Sequence, residues 1–252
     1  MRVIPMSGRA SGGGKKRPGT KSGLKPRSRL RKFLYENGLS IVMLGLFFIT
    51  FWIGQTYSGF LVHNDEQQQH GRAPVSVVDY LRSAHFVEAT TENWESEFLQ
   101  MFFYVVLTIF LYQKGSSESK RPDTFELVDV DPRTISEVER ASAPAPVRKG
   151  GWVLKLYENS LGIAFLVLFL ASFSLHAISG AKLHSAEELE HGRQAVTTLQ
   201  YLKTSQFWFE SFQNWQSEFL AVGSMVVLSI WLRQKGSPES KPVHAPHEET
   251  GD

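Results

Sequence analysis

One stretch of this chain is written twice. Residues 55–120 and 176–241 align without a gap at an offset of 121, and about 29 of the 66 paired positions are identical, far more than chance gives for a period of this length. Tyr35-Glu36-Asn37 recurs as Tyr157-Glu158-Asn159, and His70-Gly71-Arg72 recurs as His191-Gly192-Arg193. Asn93-Trp94-Glu95-Ser96-Glu97-Phe98-Leu99 recurs as Asn214-Trp215-Gln216-Ser217-Glu218-Phe219-Leu220. Gln113-Lys114-Gly115-Ser116-Ser117-Glu118-Ser119-Lys120 recurs as Gln234-Lys235-Gly236-Ser237-Pro238-Glu239-Ser240-Lys241. The architecture must therefore be assembled from two similar units in tandem.

Each unit contains two apolar runs. A mean hydropathy of −0.18 reads as soluble, but the apolar residues are concentrated in these runs and the charges lie between them. The segment between Glu36 and His63 holds no acid, base or His, and Asn159 to Ala181 is interrupted only by His176. Both exceed the roughly 20 residues that cross a hydrocarbon core. Phe98–Tyr112 and Phe219–Leu232 are shorter, at about 14 to 15 residues, and of ambiguous length for a span. If their helices start near Asn93 and Asn214, they also reach across. On this pairing argument the chain is an all-α membrane protein: four transmembrane helices as two parallel-repeat hairpins, a four-helix bundle with short outer interfacial helices. Both copies start on the same side, so the repeats are parallel and not the inverted pairs of many alternating-access transporters.

Charge gives the orientation. Residues 1–32 carry about 11 Lys or Arg and no acid, which places the N-terminus in the cytoplasm. Segments 63–97 and 182–218 are acid-weighted and belong outside, so both termini are expected in the cytoplasm. The long basic leader and the absence of an A-x-A-like site argue for an uncleaved helix over a signal peptide. The expected organisation is a disordered basic leader (1–32), a first hairpin (33–120), a disordered Pro- and Ala-rich linker (121–151), a second hairpin (152–241) and a disordered tail (242–252). The leader suits anionic lipid headgroups. Without aromatic residues among its charges it does not suit nucleic acid.

The motif N-W-x-S-E-F-L, preceded by E-x-x-x-H-G and followed by Q-[KR]-G-S-x-E-S-K, resembles an uncharacterised family of small bacterial integral membrane proteins. The resemblance covers roughly residues 33–120 and 152–241. It implies a bacterial inner-membrane location and carries no activity with it.

Candidate functional residues lie in the outer segments. His63, Glu66 and His70 fall at i, i+3 and i+7, and the second copy repeats them as His184, Glu187 and His191. If the long helices continue past the membrane, each set lines one face, a ligand set for Zn²⁺ or a di-metal carboxylate site. The competing reading makes His70-Gly71 and His191-Gly192 helix C-caps on a solvated face. Ser76-x-x-Asp79 and Thr197-x-x-Gln200 signal a short helix in each outer loop. Glu97 and Glu218 are expected at the outer edge of the hydrocarbon, one turn in from the interface anchors Trp94 and Trp215, where an ionisable group is costly and points to function. They would face His63 and His184, or each other. The alternative is a wet helix start capped by Asn93.

His176 has Gln55 as its repeat partner, so no symmetrical haem pair forms, and a lone intramembrane His more often bonds between helices. The chain has no Cys, which removes thiolate chemistry, and no nucleotide, nucleophile-elbow or metalloprotease motif. No cofactor and no enzymatic activity are expected. The leading expectation is a non-catalytic envelope scaffold or sensor, with the bilayer, a homo-oligomer or a membrane protein as partner. The alternative is a small proton- or cation-conducting or metal-binding membrane protein that uses the outer Glu/His cluster.

Overall fold

A computed structural model describes residues 28–251, so most of the basic leader, with the lipid contact expected of it, lies outside the described residues. All regular elements described are helical, and the described residues contain no strand. The chain divides into two compact units, one ending at Tyr57 and the other beginning at Ser58.

The first unit contains α1 (Arg29–Glu36), α2 (Gly38–Ile49) and a π-helical stretch, Thr50–Tyr57. Ser28 caps α1 by accepting from the Arg31 backbone N–H. Asn37 ends it, its side-chain amide donating to the Phe33 carbonyl. α2 carries no charge and buries none of its side chains. A helix apolar all round suits surroundings that are apolar on every side. Thr50 Oγ1 donates back to the carbonyls of Leu46 (2.9 Å) and Phe47 (3.1 Å), which loosens the α-ladder where the π-turns begin.

The second unit contains α3 (Ser58–Gln69), α4 (Val77–Leu81), α5 (Ala84–Leu107), α6 (Glu137–Ser142), α7 (Ala145–Lys149), α8 (Gly151–Glu158), α9 (Ser160–Glu190), α10 (Thr198–Tyr201) and α11 (Ser205–Leu228). Gly71 (φ 67°) and Gly192 (φ 72°) take the left-handed conformation just beyond α3 and α9, where a side chain would be strained. Arg72 and Arg193 then donate backbone N–H bonds to Gln67 O (2.7 Å) and Glu188 O (2.8 Å). The α3–α4 and α9–α10 connections are pinned alike although the pinning residues differ. Asn64 exchanges two hydrogen bonds with the Val75 backbone, and Ser185 does the same with Val196.

The four-span, two-hairpin bundle is corrected by this structure. Among the described residues only two helical stretches, Gly38–Gln69 and Ser160–Glu190, are long and apolar enough to cross a membrane. The short runs do not belong to helices starting at Asn93 and Asn214. Ser83 and Thr204 cap α5 and α11 through the backbone N–H groups of Phe86 and Phe207, about ten residues earlier. Most of each short run therefore forms the second half of a longer helix. In α5 the part before Phe98 carries His85, Glu88, Glu92, Glu95 and Glu97.

The hairpin pairing is also replaced. α5, from the first copy, packs along α9 of the second copy and against α11, making a compact helical bundle. In the segments expected to lie on the membrane surface, Val77, Val78 and Leu199 remain exposed, while Tyr80 and Tyr201 turn inward, each only 2% exposed. Gly180 makes room for one of them: a Cβ there would meet the Tyr201 ring and hydroxyl at 2.6–2.9 Å. Gly59 stands against the Tyr80 hydroxyl in the same way. Tyr201 joins Ala177, Ala181 and Phe207 in the apolar core.

The two Q-K-G-S-x-E-S-K loops meet near the C-terminal segment. Lys241 is 1% exposed. Its ammonium donates to the carbonyls of Gly115, His247 and Glu249, while Gly251 N donates to Ser116 O at 3.0 Å. Lys120, its counterpart, pairs with Asp129 at 2.7 Å.

Candidate metal centre

On α5, His85, Glu88, Glu92 and Glu95 are spaced i, i+3, i+7 and i+10, which puts them on one helix face. His176 comes from the middle of α9, Glu210 from α11 and Tyr201 from α10.

His176 and Glu95 are both fully buried, with His176 Nδ1 3.0 Å from Glu95 Oε2. An ionised carboxylate only accepts, so Nδ1 carries the proton and donates it. The other Glu95 oxygen accepts from Trp215 Nε1 at 3.3 Å. Nε2 is the nitrogen on the opposite edge of the ring. Nε2 is buried and has no hydrogen-bond partner. Glu210 Oε2 stands 3.6 Å away, too far for a hydrogen bond. The ligand atoms of His176, Glu88 and Glu210 lie within 4.8 Å of one another.

Negative charge exceeds positive here. The Glu88 carboxyl is pushed up to about 7, first by burial and then by the charges of Glu92 and Glu210. Burial also raises Glu92, although the Asn214 amide donates to it at 2.6 Å. For Glu210 burial works against ionisation, but the His176 ring, the Tyr201 hydroxyl (2.6 Å) and the Gln206 amide more than offset it, so its pKa falls below the ordinary value. Burial, then the hydrogen bond to Glu210, raises the Tyr201 phenol. The arrangement is an imidazole oriented by a buried carboxylate, with its free nitrogen turned toward two further carboxylates. That is how metal-binding histidines are commonly held. A divalent ion would have to draw the three donors to about 2.0–2.2 Å from itself.

The residues singled out by repetition lie elsewhere. His63 and Glu66 do come together, but with His85 as the third ligand group. His70 is exposed and turns Nδ1 to the Glu66 carbonyl at 2.8 Å, and His191 turns to the Glu187 carbonyl at 2.7 Å. Both rings cap helix ends. His184 lies 4.0 Å from Glu187 and 3.9 Å from Glu188. Glu97 is exposed, and its carboxyl is raised by partial burial and then by the charge of Glu218. Trp94 rests edge-on against Phe98, and Trp215 packs on Phe169 and Phe212.

Sequence reasoning passed over Glu88, Glu92, Glu210 and His85. The period of the α5 stripe is the available signal, and a helix start at Asn93 hides it because the true cap is Ser83.

Fold and centre together define a class: over the described residues, an all-α protein with two helical stretches fit to cross a membrane and a His/Glu cluster able to coordinate a metal ion. The chain belongs to a family described as a domain of unknown function (DUF6766), whose model matches residues 30–252. Comparison with curated proteins and with solved structures found no match.

Proposed function

We propose that this chain is an integral membrane protein that binds a divalent first-row transition-metal ion between α5, α9 and α11, through His176, Glu88 and Glu210. The observation that carries the reading is His176 Nε2: buried, without a hydrogen bond and turned to two carboxylates, while Glu95 holds the opposite nitrogen. A buried imidazole nitrogen without a partner costs stability unless something occupies it. A cation there also relieves the mutual repulsion of Glu88, Glu92 and Glu210. One imidazole with carboxylates suits Zn²⁺, Mn²⁺ or Fe²⁺ and not a thiophilic ion.

The membrane part of the reading draws on α2, none of whose side chains is buried, and on the apolar character of Ser160–Glu190. The basic residues before α2 support a cytoplasmic N-terminal flank. The buried cluster favours an ion-associated role over the scaffold or sensor role.

Metal analysis of the detergent-purified full chain, dialysed separately against Zn²⁺, Mn²⁺ and Fe²⁺, tests the proposal. Bound metal should fall by about one equivalent in H176Q and in E210Q. Unchanged metal content in both, with both folded, would falsify it. The result would instead point to a proton shared between His176 and its carboxylates.

A further inference from the structure

A second cluster remains at the junction of α3, α4 and α5. His63 and Glu66 lie one turn apart on α3, and His85 is the second residue of α5. The ligand atoms of the three lie within 4.8 Å of one another. The imidazole rings are 5.1 Å apart at 39°, and both sit beside the buried Tyr80 ring, at 5.5 Å from His63 and 6.0 Å from His85. Nδ1 of His63 and Nδ1 of His85 are each buried without a hydrogen-bond partner.

Two unpartnered ring nitrogens beside one carboxylate are hard to explain as packing, because buried polar atoms normally find partners. From these positions we propose that His63, Glu66 and His85 form a second divalent-metal site, of the His₂–carboxylate kind that suits Zn²⁺ or Fe²⁺. The surroundings fit that chemistry. The Gln67 side-chain amide stands 3.3 Å from His63 Nε2. This contact holds the imidazole by its Nε2 edge and leaves Nδ1 without a hydrogen bond. Glu66 is exposed, so this site opens to solvent more fully than the centre around the buried His176.

The second copy does not reproduce the site. His184 and Glu187 match His63 and Glu66, but Gln206 stands at the position of His85, and its amide donates to Glu210. The two proposed sites share no residue. His85 and Glu88 are nonetheless one turn apart on α5, a rise of about 4.5 Å. The solvent-facing site is thus the outer station and the His176 centre the inner one.

Zn²⁺ stoichiometry of the full chain in detergent separates the two. The unsubstituted protein should bind about two equivalents, H85Q and E66Q about one, H176Q about one, and H85Q/H176Q none. If H85Q binds as much as the unsubstituted protein while H176Q loses one equivalent, the outer site is overturned and the inner one stands. The converse pattern overturns the inner site alone. Because a substitution can unfold the chain, carbethoxylation of the unsubstituted protein provides a second readout. Zn²⁺ should protect His63 and His85 while the exposed His244 and His247 react at an unchanged rate. Equal reactivity of His63 and His85 with and without Zn²⁺ would overturn the proposal.

Discussion

α5 and α11 are 24 residues each, begin on the same kind of Ser/Thr cap, and share the N-W-x-S-E-F-L motif. They nevertheless have opposite surroundings. α5 buries Thr90, Thr91, Glu95, Ser96, Leu99 and Gln100, whereas α11 buries only Phe207 and Ser211. Packed against both α9 and α11, α5 points its polar stripe at His176 and Glu210. At the positions of His85, Glu88, Glu92 and Glu95, α11 has Gln206, Phe209, Gln213 and Gln216. The wedged helix supplies Glu88, Glu92 and Glu95, and α9 of the second copy supplies His176. The outer copy supplies an aromatic layer of Trp208, Phe212 and Trp215, along with the single acid, Glu210, that completes the cluster. Shared residues build the common helix; residues that differ between the copies build the centre.

The strongest way to break this contrast is a matched pair of substitutions in the motif. Glu95 is fully buried and holds both His176 and Trp215, while Gln216, its counterpart, is exposed. Removing one partner of a buried pair typically costs about 3–5 kcal/mol, whereas a surface change stays within about 0.5 kcal/mol. E95L should therefore lower the thermal midpoint in detergent sharply, and Q216L should leave it nearly unchanged. Equal shifts would mean that the two helices are equivalent after all.

That contrast also explains what could be read from the sequence. Helical character, the two long apolar stretches, the caps at Ser76 and Thr197 and the turns at Gly71 and Gly192 follow from local pattern, and local pattern sufficed for them. The partner of each helix is a long-range property. Period and charge said nothing about α5 lying along α9 of the other copy, so the two-hairpin bundle was assembled with the wrong neighbours. The start of α5 was missed for a local reason. Asn93 has the chemistry of an N-cap, but in mid-helix its amide donates to the Ala89 carbonyl at 2.9 Å, and Ser83 caps instead. Repetition then drew attention to His70 and His191, which repeat because the helix ends repeat. His176 has no repeat, and its carboxylates became visible only through tertiary packing.

A smaller effect is expected where the copies agree. Gly180 faces the Tyr201 ring as Gly59 faces Tyr80, and an added Cβ in either place overpacks a buried tyrosine. Overpacking costs about 1–3 kcal/mol, against about 1 kcal/mol gained when Ala replaces Gly in a helix. Both G180A and G59A should give a modest net loss in thermal midpoint, and Y201F should not rescue G180A, because the ring carbons clash as well as the hydroxyl. If one glycine tolerates Ala without loss, the tyrosine pockets of the two copies are not equivalent.

The smallest effect concerns Glu97 and Glu218, identical in the two copies. Partial burial and the Glu218 charge raise the Glu97 carboxyl above its ordinary 4.5. A raised folded pKa means the fold favours the protonated acid. The associated stability is fully present below the ordinary value and is lost as pH rises through the raised one. E97Q mimics the protonated form, so it should match the parent near pH 4 and exceed it slightly at pH 7. Because Glu97 is exposed, solvent screening keeps the gain small, and added salt should shrink it further. E218Q should reproduce part of that gain by removing the charge that acts on Glu97. A parent and an E97Q variant with the same pH dependence of thermal midpoint between 4 and 7 would show that this acidic pair carries no tension, leaving the residues unique to each copy as the only electrostatically loaded ones in the motif.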